Sequence, residues 1–202
     1  INLNISNVGS ISRALCKINY NSIVTNNIKD LENSSHIIFP GVGSFDKGVE
    51  KLKEFKLFDE LYKLLTIKKK PFLGICLGMQ LLGSIGVENN KEEKGLDIIK
   101  GKVIRLEKKN EKMKIPHVGW NEVKKIKNNE IFKNINDKSD FYFIHSFHLK
   151  SDNTEDNISS TKYGKDFVSA VNKQNIYGVQ FHPEKSLRNG LLLIKNFINY
   201  NA

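Results

Sequence analysis

The sequence predicts an α/β fold: an open mixed, largely parallel sheet flanked by helices. Three observations carry that prediction. Short apolar runs at 36–40, 71–76 and 176–181, bounded by glycine and proline, have the length and near-continuous hydrophobicity of buried strands. Stretches with apolar residues at helical spacing lie among them, at 11–20, 45–69 and 191–200. Two of the apolar runs end in residues suited to chemistry, Cys76 and His182, and the carboxyl ends of strands are where open parallel sheets carry their sites.

Residues 1–5 alternate apolar and polar side chains and read as a first strand. Asn7-Val8-Gly9-Ser10 reads as a turn, with Ser10 capping a helix over 11–20. Residues 22–25 are a short strand candidate, and 28–31 are too few to assign. The strand at 36–40 runs into Gly41-Val42-Gly43-Ser44-Phe45. Asp46 stands where a third glycine would complete a dinucleotide fingerprint, so the two glycines are better read as letting main-chain N–H groups approach a ligand. Residues 45–69 are helical, in one or two pieces, with Phe55, Leu57, Phe58, Leu61, Leu64 and Leu65 as a core-facing stripe. Residues 83–95 read as a polar, mobile loop. Strands are expected at 96–99 and 103–106, joined at Lys100-Gly101, and one longer strand at 140–149. A rigid loop over 115–121 carries the only tryptophan. The runs at 167–171 and 176–181 form a hairpin around 172–175, and a helix over 191–200 closes the chain. No repeat, low-complexity linker or boundary divides it, so residues 1–202 read as one domain.

A chain of 202 residues is long enough to bury roughly 70% of the surface its unfolded form exposes, without a disulfide staple. Its two cysteines, Cys16 and Cys76, suit a reducing compartment. No apolar run reaches the length of a membrane span, and no basic-then-apolar leader opens the chain, so a cytoplasmic protein is expected. The net charge of +10 and pI near 9.4 raise the question of nucleic acid. Glutamates interleave the lysines at 51–56 and 108–114, and no aromatic platform accompanies them, which argues against a nucleic-acid surface.

The stretch Pro71-Phe72-Leu73-Gly74-Ile75-Cys76-Leu77-Gly78-Met79-Gln80-Leu81-Leu82 reads as a buried strand that breaks at a cysteine and continues as a helix. Glycines on either side of Cys76 permit the sharp reversal of a strand-to-helix elbow. At the amino end of the following helix, unpaired N–H groups and the helix dipole lower a thiol pKa from its free value of about 8.5, and they can receive an oxyanion. A buried structural cysteine between packing glycines would leave the same local trace. Residues 176–186 break the tie, because another apolar run ends in His182, which Pro183 separates from Glu184. A nucleophilic cysteine needs a base, and the base needs a partner that fixes its tautomer and stabilises its cation. His182 and Glu184 fit those two roles.

On these residues the chain resembles the class I, or triad, glutamine amidotransferases. Within them it is most similar to the glutaminase subunits of imidazole glycerol phosphate synthases. The resemblance runs from the turn at Asn7 to the closing helix and rests on five stretches in order: 40–45 for the family's oxyanion strand, 74–82 for its nucleophile elbow, 115–121 for its interface loop, His145-Ser146 for its glutamine-site strand, and 178–186 for its base and acid. It implies a flavodoxin-like sheet with additional β-strands. It implies Cys76 as nucleophile, His182 as general base and then acid, and Glu184 as the orienter of His182. Main-chain N–H groups of Leu77 and of the Val42 and Gly43 region would hold the oxyanion, and Gln80, His145 and Ser146 would line the substrate site. L-glutamine is then the substrate, no metal or cofactor is required, and ammonia passes to a partner (β/α)8-barrel cyclase that makes imidazole glycerol phosphate and aminoimidazole carboxamide ribotide in histidine biosynthesis. Asn7, Trp120, Asn121 and Lys185 resemble residues near that heterodimer interface.

Two positions depart from the family pattern. Asn2-Leu3-Asn4-Ile5-Ser6-Asn7 replaces an acidic, glycine-rich first loop, and Phe147 stands where a tyrosine follows His-Ser. Both leave the triad intact, and the first keeps open a paralogue that supplies ammonia to a related synthase amidating a surface sugar. A free-standing γ-glutamyl hydrolase would need neither the glycine strand at 40–43 nor the interface loop. A silent regulatory subunit would be marked by loss of Cys76, His182 or Glu184, and all three are present.

Overall fold

A computed structural model of the chain describes residues 1–4, 7–88, 91–111 and 113–200. In order, its elements are α1 (Val8–Lys17), α2 (Ile28–Asn33), β1 (Ile37–Gly41), α3 (Phe45–Glu54), α4 (Phe58–Thr66), β2 (Phe72–Cys76) and the single turn α5 (Leu77–Gln80). There follow β3 (Ile85–Glu88), β4 (Lys91–Lys94), β5 (Gly101–Arg105), β6 (His117–Lys125), β7 (Ser139–His145), β8 (Phe147–Ser151), β9 (Asn157–Tyr163), β10 (Lys165–Lys173), β11 (Ile176–Val179) and α6 (Leu187–Ile198).

The main sheet is seven-stranded and mixed, in the order β1-β2-β11-β10-β9-β6-β7. Its parallel part is β1, β2 and β11, with β2 in the middle. The other pairings are antiparallel, so the parallel share is smaller than the sequence suggested. A second sheet, β4-β3-β5-β8, supplies the additional strands. The run at 72–76 is apolar at nearly every position because β2 is covered on both faces. Phe72 packs with Leu52, Leu61 and Leu64 of α3 and α4, whereas Leu73 and Ile75 pack with Ile11 and Leu15 of α1 and Leu193 and Phe197 of α6. Each fully buried side chain of this kind contributes about 1.5–3 kcal/mol.

Several expectations are corrected. Ile1 to Asn4 form no strand: the Ile1 nitrogen donates to Ile38 O at 2.7 Å and Asn2 N–H to Thr25 O at 2.9 Å, which lays the segment beside β1 without building a ladder. Ile5 lies outside the described residues. The first helix begins at Val8, not Ile11, because Asn7 is the N-cap, its side-chain oxygen accepting Ser10 N–H at 3.3 Å. Residues 22–25 are irregular, and 28–33 are a helix capped by Asn27. The expected polar loop at 83–95 contains the hairpin strands β3 and β4. Glu88 there accepts Phe45 N–H at 2.8 Å and so caps α3 from outside. Residues 96–99 are not a strand, and the expected strand at 140–149 is broken at Ser146 into β7 and β8, which enter different sheets.

The elbow itself is tighter than a glycine turn requires. Neither Gly74 nor Gly78 has a positive φ; Cys76 does, at φ 55° and ψ −108°. The glycines provide space. A Cβ on Gly78 would stand 2.0 Å from Phe39 O, and one on Gly74 would stand 2.5 Å from Gly78 O. Main chain cannot yield there as a side chain can, so Gly78→Ala should cost on the order of 3 kcal/mol. Urea unfolding measures this, and an unshifted midpoint would contradict the packing argument.

Candidate active site

The site is assembled from three adjacent strand ends. Gly41, the last residue of β1, pairs with Cys76, the last of β2, and β11 on the other side of β2 leads through Gln180 and Phe181 to His182. Parallel strands end at the same level, so the sequence positions 41, 76 and 182 meet in space. Cys76 holds a φ/ψ combination that costs a non-glycine residue about 1–3 kcal/mol, and the pairing on both sides of β2 enforces it. α5 is only four residues long, so what it offers is less a macrodipole than free amides: the N–H of Leu77, in its first turn, has no intrahelical acceptor.

His182 and Glu184 form a buried pair, with Nδ1 2.8 Å from Oε1 and both side chains 3% exposed. Burial opposes a charge on His182. The Cys76 sulfur and the Glu184 carboxylate outweigh it and hold the imidazole pKa up, to about 10. Among the described residues Nε2 of His182 has no hydrogen bond of full geometry, but it lies close enough to the Cys76 sulfur to interact with it both as a donor and through charge. The main chain fixes the pair further: His182 N–H donates to Tyr142 O at 2.8 Å, and Ser186 Oγ receives Tyr142 N–H at 2.9 Å while donating to His182 O.

A second set of polar groups lies against the first. Gln80 donates from Nε2 to Phe147 O at 2.9 Å and to Gln180 Oε1 at 3.1 Å, and Gln180 Nε2 lies 3.5 Å from Cys76 Sγ. His145 Nδ1 lies 2.8 Å from the same Phe147 carbonyl, so that nitrogen carries the proton and Nε2 accepts. His117 Nδ1 donates to it at 3.1 Å, and Asn121 Nδ2 donates in turn to His117 Nε2 at 3.2 Å. This chain of donors requires both imidazoles to be neutral. Burial agrees, pushing His117 down to about 4 and His145 to about 3.

Of the residues expected from sequence, Cys76, His182, Glu184, Leu77 and Gln80 are brought together. Val42 and Gly43 follow directly on the Gly41–Cys76 pairing; Val42 is exposed, and Gly43 has φ 109° with open space where a side chain would be. Ser146 lies in the break after His145, its carbonyl receiving Leu106 N–H at 2.8 Å. Trp120 and Lys185 face outwards around Tyr142: the indole meets the phenol ring edge-on at 6.0 Å, and Lys185 Nζ is 5.6 Å from the ring centre. Asn121 turns inward instead, donating to His117 and to Lys162 O. Asn7 is exposed at the start of α1, which packs against the turn that carries Glu184. Gln180 and His117 were missed. A glutamine in the apolar run before His182 was the available signal for the first, whereas nothing local marks the second. A cavity of about 510 Å³ beside Ile1, Leu15, Thr25 and Ile38 contains none of these residues and is not the site.

The profile of the glutamine amidotransferase class-I family matches residues 1–200. The chain belongs to the class-I glutamine amidotransferases. Among relatives, it is 44% identical over 201 residues to imidazole glycerol phosphate synthase subunit HisH 2 of Methanococcus maripaludis, covering 98% of this chain and 96% of that protein. It is 43% identical to subunit HisH of Methanocaldococcus jannaschii over 199 residues, covering 98% and 96%. A crystal structure of a glutamine amidotransferase superposes with a TM-score of 0.73 at 16% identity, covering 96% of this chain and 93% of the other. That of a glutamine amidotransferase from Thermotoga maritima gives 0.64 at 19%, covering 98% and 78%. At those identities the two structures speak for the amidotransferase fold alone.

The neutral histidine pair makes stability depend on pH. His117 and His145 have folded pKa values below the ordinary 6.5, so the unfolded chain binds more protons and stability falls as pH drops from 6.5 towards 4. His182 has the opposite sign: its contribution is complete below 6.5 and is lost only as pH rises towards 10. Urea midpoints should therefore fall between pH 6.5 and 5, above the range where carboxylates titrate, and fall less in His117→Asn. A flat acid limb in the parent chain would refute the neutral pair.

Proposed function

We propose that this chain is the glutaminase subunit of an imidazole glycerol phosphate synthase, hydrolysing L-glutamine and delivering ammonia to a partner synthase subunit in histidine biosynthesis. The observation that carries the reading is the buried His182–Glu184 pair set beside a strained Cys76, in a chain 44% identical over nearly its whole length to a subunit of that name. The surface-sugar alternative has no comparable support.

In the proposed reaction the thiol proton resides on His182, in the ion pair that its raised pKa reflects, and the Cys76 thiolate attacks the carboxamide carbon of glutamine. The C–S bond forms as the carbonyl becomes an oxyanion, held by N–H groups of Leu77 and of the Val42 and Gly43 segment; one such donor is worth about 3–4 kcal/mol. The C–N bond then breaks as His182 returns the proton to the departing nitrogen, giving ammonia and a glutamyl thioester. Water, deprotonated by His182, attacks the thioester, and the C–S bond breaks to release glutamate. Glu184 holds the imidazole in the tautomer with its proton on Nδ1 and stabilises the cation between steps. Gln80 spends both amide hydrogens on Phe147 and Gln180, so its oxygen is the atom available to substrate.

The partner, a (β/α)8-barrel cyclase, docks on the outer face of β6 and β7. Alternation along the two strands sends His117 and His145 inward and Val118, Trp120, Tyr142 and Ile144 outward in facing pairs. Val118, Trp120 and Ile144 are 54%, 49% and 39% exposed, and an apolar group with a central tryptophan flanked by a lysine is the composition of a binding hot spot. The same hairpin holds His182 through Tyr142 O, so docking acts one peptide away from the base. The complex works in the cytoplasm, where Cys16 and Cys76 stay reduced.

Cys76→Ala should abolish glutamine hydrolysis while the complex with its synthase still forms product from added ammonium; residual glutaminase turnover in that variant would sink the assignment. Trp120→Ala should weaken association about thirtyfold, the usual scale for a truncated aromatic anchor. Titration calorimetry with the purified synthase subunit reads this directly, and an unchanged dissociation constant would move the interface elsewhere.

A further inference from the structure

Resting on the glutaminase reading above, we infer that Gln180 is a further catalytic residue: its side-chain N–H binds the sulfur of Cys76 and stabilises the thiolate both when it attacks and when it leaves. Gln180 is fully buried, in the run between β11 and His182. Its Nε2 stands 3.5 Å from Cys76 Sγ.

The orientation of that amide is dictated by its neighbours. The Phe147 carbonyl can only accept, and Gln80 Nε2 donates to it at 2.9 Å. The second hydrogen on the same nitrogen is then aimed at Gln180, 3.1 Å away, and must meet an oxygen there. With Oε1 of Gln180 so assigned, Nε2 is the end that faces the sulfur. The reverse orientation of Gln180 would set its nitrogen against the Gln80 nitrogen and its oxygen against the sulfur. The Phe147 carbonyl is itself held by His145, which His117 orients. A buried, fully connected chain therefore ends in one N–H pointed at the nucleophile.

The chemistry explains why a neutral amide belongs there. In the thiol form, Cys76 can donate to Ile144 O at 3.8 Å. Once its proton passes to His182, that carbonyl becomes an unfavourable neighbour, and the Gln180 N–H becomes a charge-assisted donor to the sulfur anion. The ionisable groups facing the sulfur are His182 with Glu184, from the turn after β11, and the neutral His145 of β7 faces His182. His182 must give its proton to the departing ammonia and take another from water. Gln180 has none to give, so its stabilisation of the thiolate is present at C–S formation and again at C–S cleavage.

The test uses the full chain carrying Cys16→Ser, in which Cys76 is the only thiol of the two in the sequence. The rate of alkylation by iodoacetamide is followed against pH for the parent, Gln180→Met and Gln180→Glu. Methionine keeps the volume without the donor; glutamate keeps the bond to Gln80 and sets an acceptor against the sulfur. The midpoint of the profile should rise by about one pH unit or more in both, further with glutamate, while the plateau at high pH is retained. Glutamine hydrolysis should fall about ten- to a hundredfold in kcat with KM little changed. If one variant fails to fold, the other decides. An unmoved midpoint, or loss of the plateau without a shift, would reduce Gln180 to a packing residue and overturn the inference. A midpoint that responds to Gln180 in a chain that never hydrolyses glutamine would uphold it and refute the glutaminase reading instead.

Discussion

The backbone of Cys76 is the constraint on which the rest depends. A cysteine at φ 55° and ψ −108° is not a conformation the residue adopts unaided. It is kept there because β2 is paired on both sides, with Gly41 opposite Cys76 on one edge and Val179 opposite Ile75 on the other. α5 is meanwhile pressed so closely onto the sheet that only glycine fits at 74 and 78. The elbow therefore converts the cohesion of the whole parallel core, a few kcal/mol drawn from many buried side chains, into the fixed placement of one sulfur at the end of a strand. The same pairing delivers His182, since β11 ends at the level where β2 ends.

The antiparallel half of the sheet has a different task. Because side chains alternate along β6 and β7, one hairpin has an inner face of histidine and phenylalanine and an outer face of tryptophan, tyrosine and aliphatic residues. The inner face orients the Phe147 carbonyl and the two glutamines that reach the sulfur; the outer face is the proposed partner surface. A small shift of the hairpin on docking would be felt at Tyr142 O, which holds His182, and at Ile144 O, which faces the sulfur. Coupling between partner and nucleophile needs no longer path than the thickness of one strand.

What was legible in the sequence follows from this division. The runs at 36–40, 71–76 and 176–181 were readable because burial on both faces makes a strand continuously apolar, and the proposed triad could be assembled from sequence because two such runs end in Cys76 and His182. Elements that depend on distant partners were not. Asn7 outcompetes Ser10 as a cap because its own side chain reaches back to Ser10 N–H. The hairpin of β3 and β4 is charged along β4, and Glu88 of β3 ties it to the start of α3, a contact 43 residues away in sequence. The split at Ser146 cannot be seen locally either, because the two halves of an apparently continuous strand are recruited by different sheets. Gln180 and His117 look like ordinary strand residues until folding links them through Gln80, the Phe147 carbonyl and His145.

The histidines show how finely the same side chain is set by its surroundings. His117 and His145 are buried with donors and a carbonyl but no anion, so desolvation prevails and both stay neutral. His182 suffers burial too, yet an adjacent carboxylate and sulfur reverse the outcome and favour the cation. Pushing like groups apart in this way confines charge to the one imidazole proposed to shuttle a proton. A charged His145 would have a second proton on Nε2, could no longer accept from His117, and would repel the His182 cation nearby. The neutral pair therefore does two jobs with one property: it transmits orientation through fixed donors, and it leaves the field at the sulfur to His182, Glu184 and the Gln180 amide.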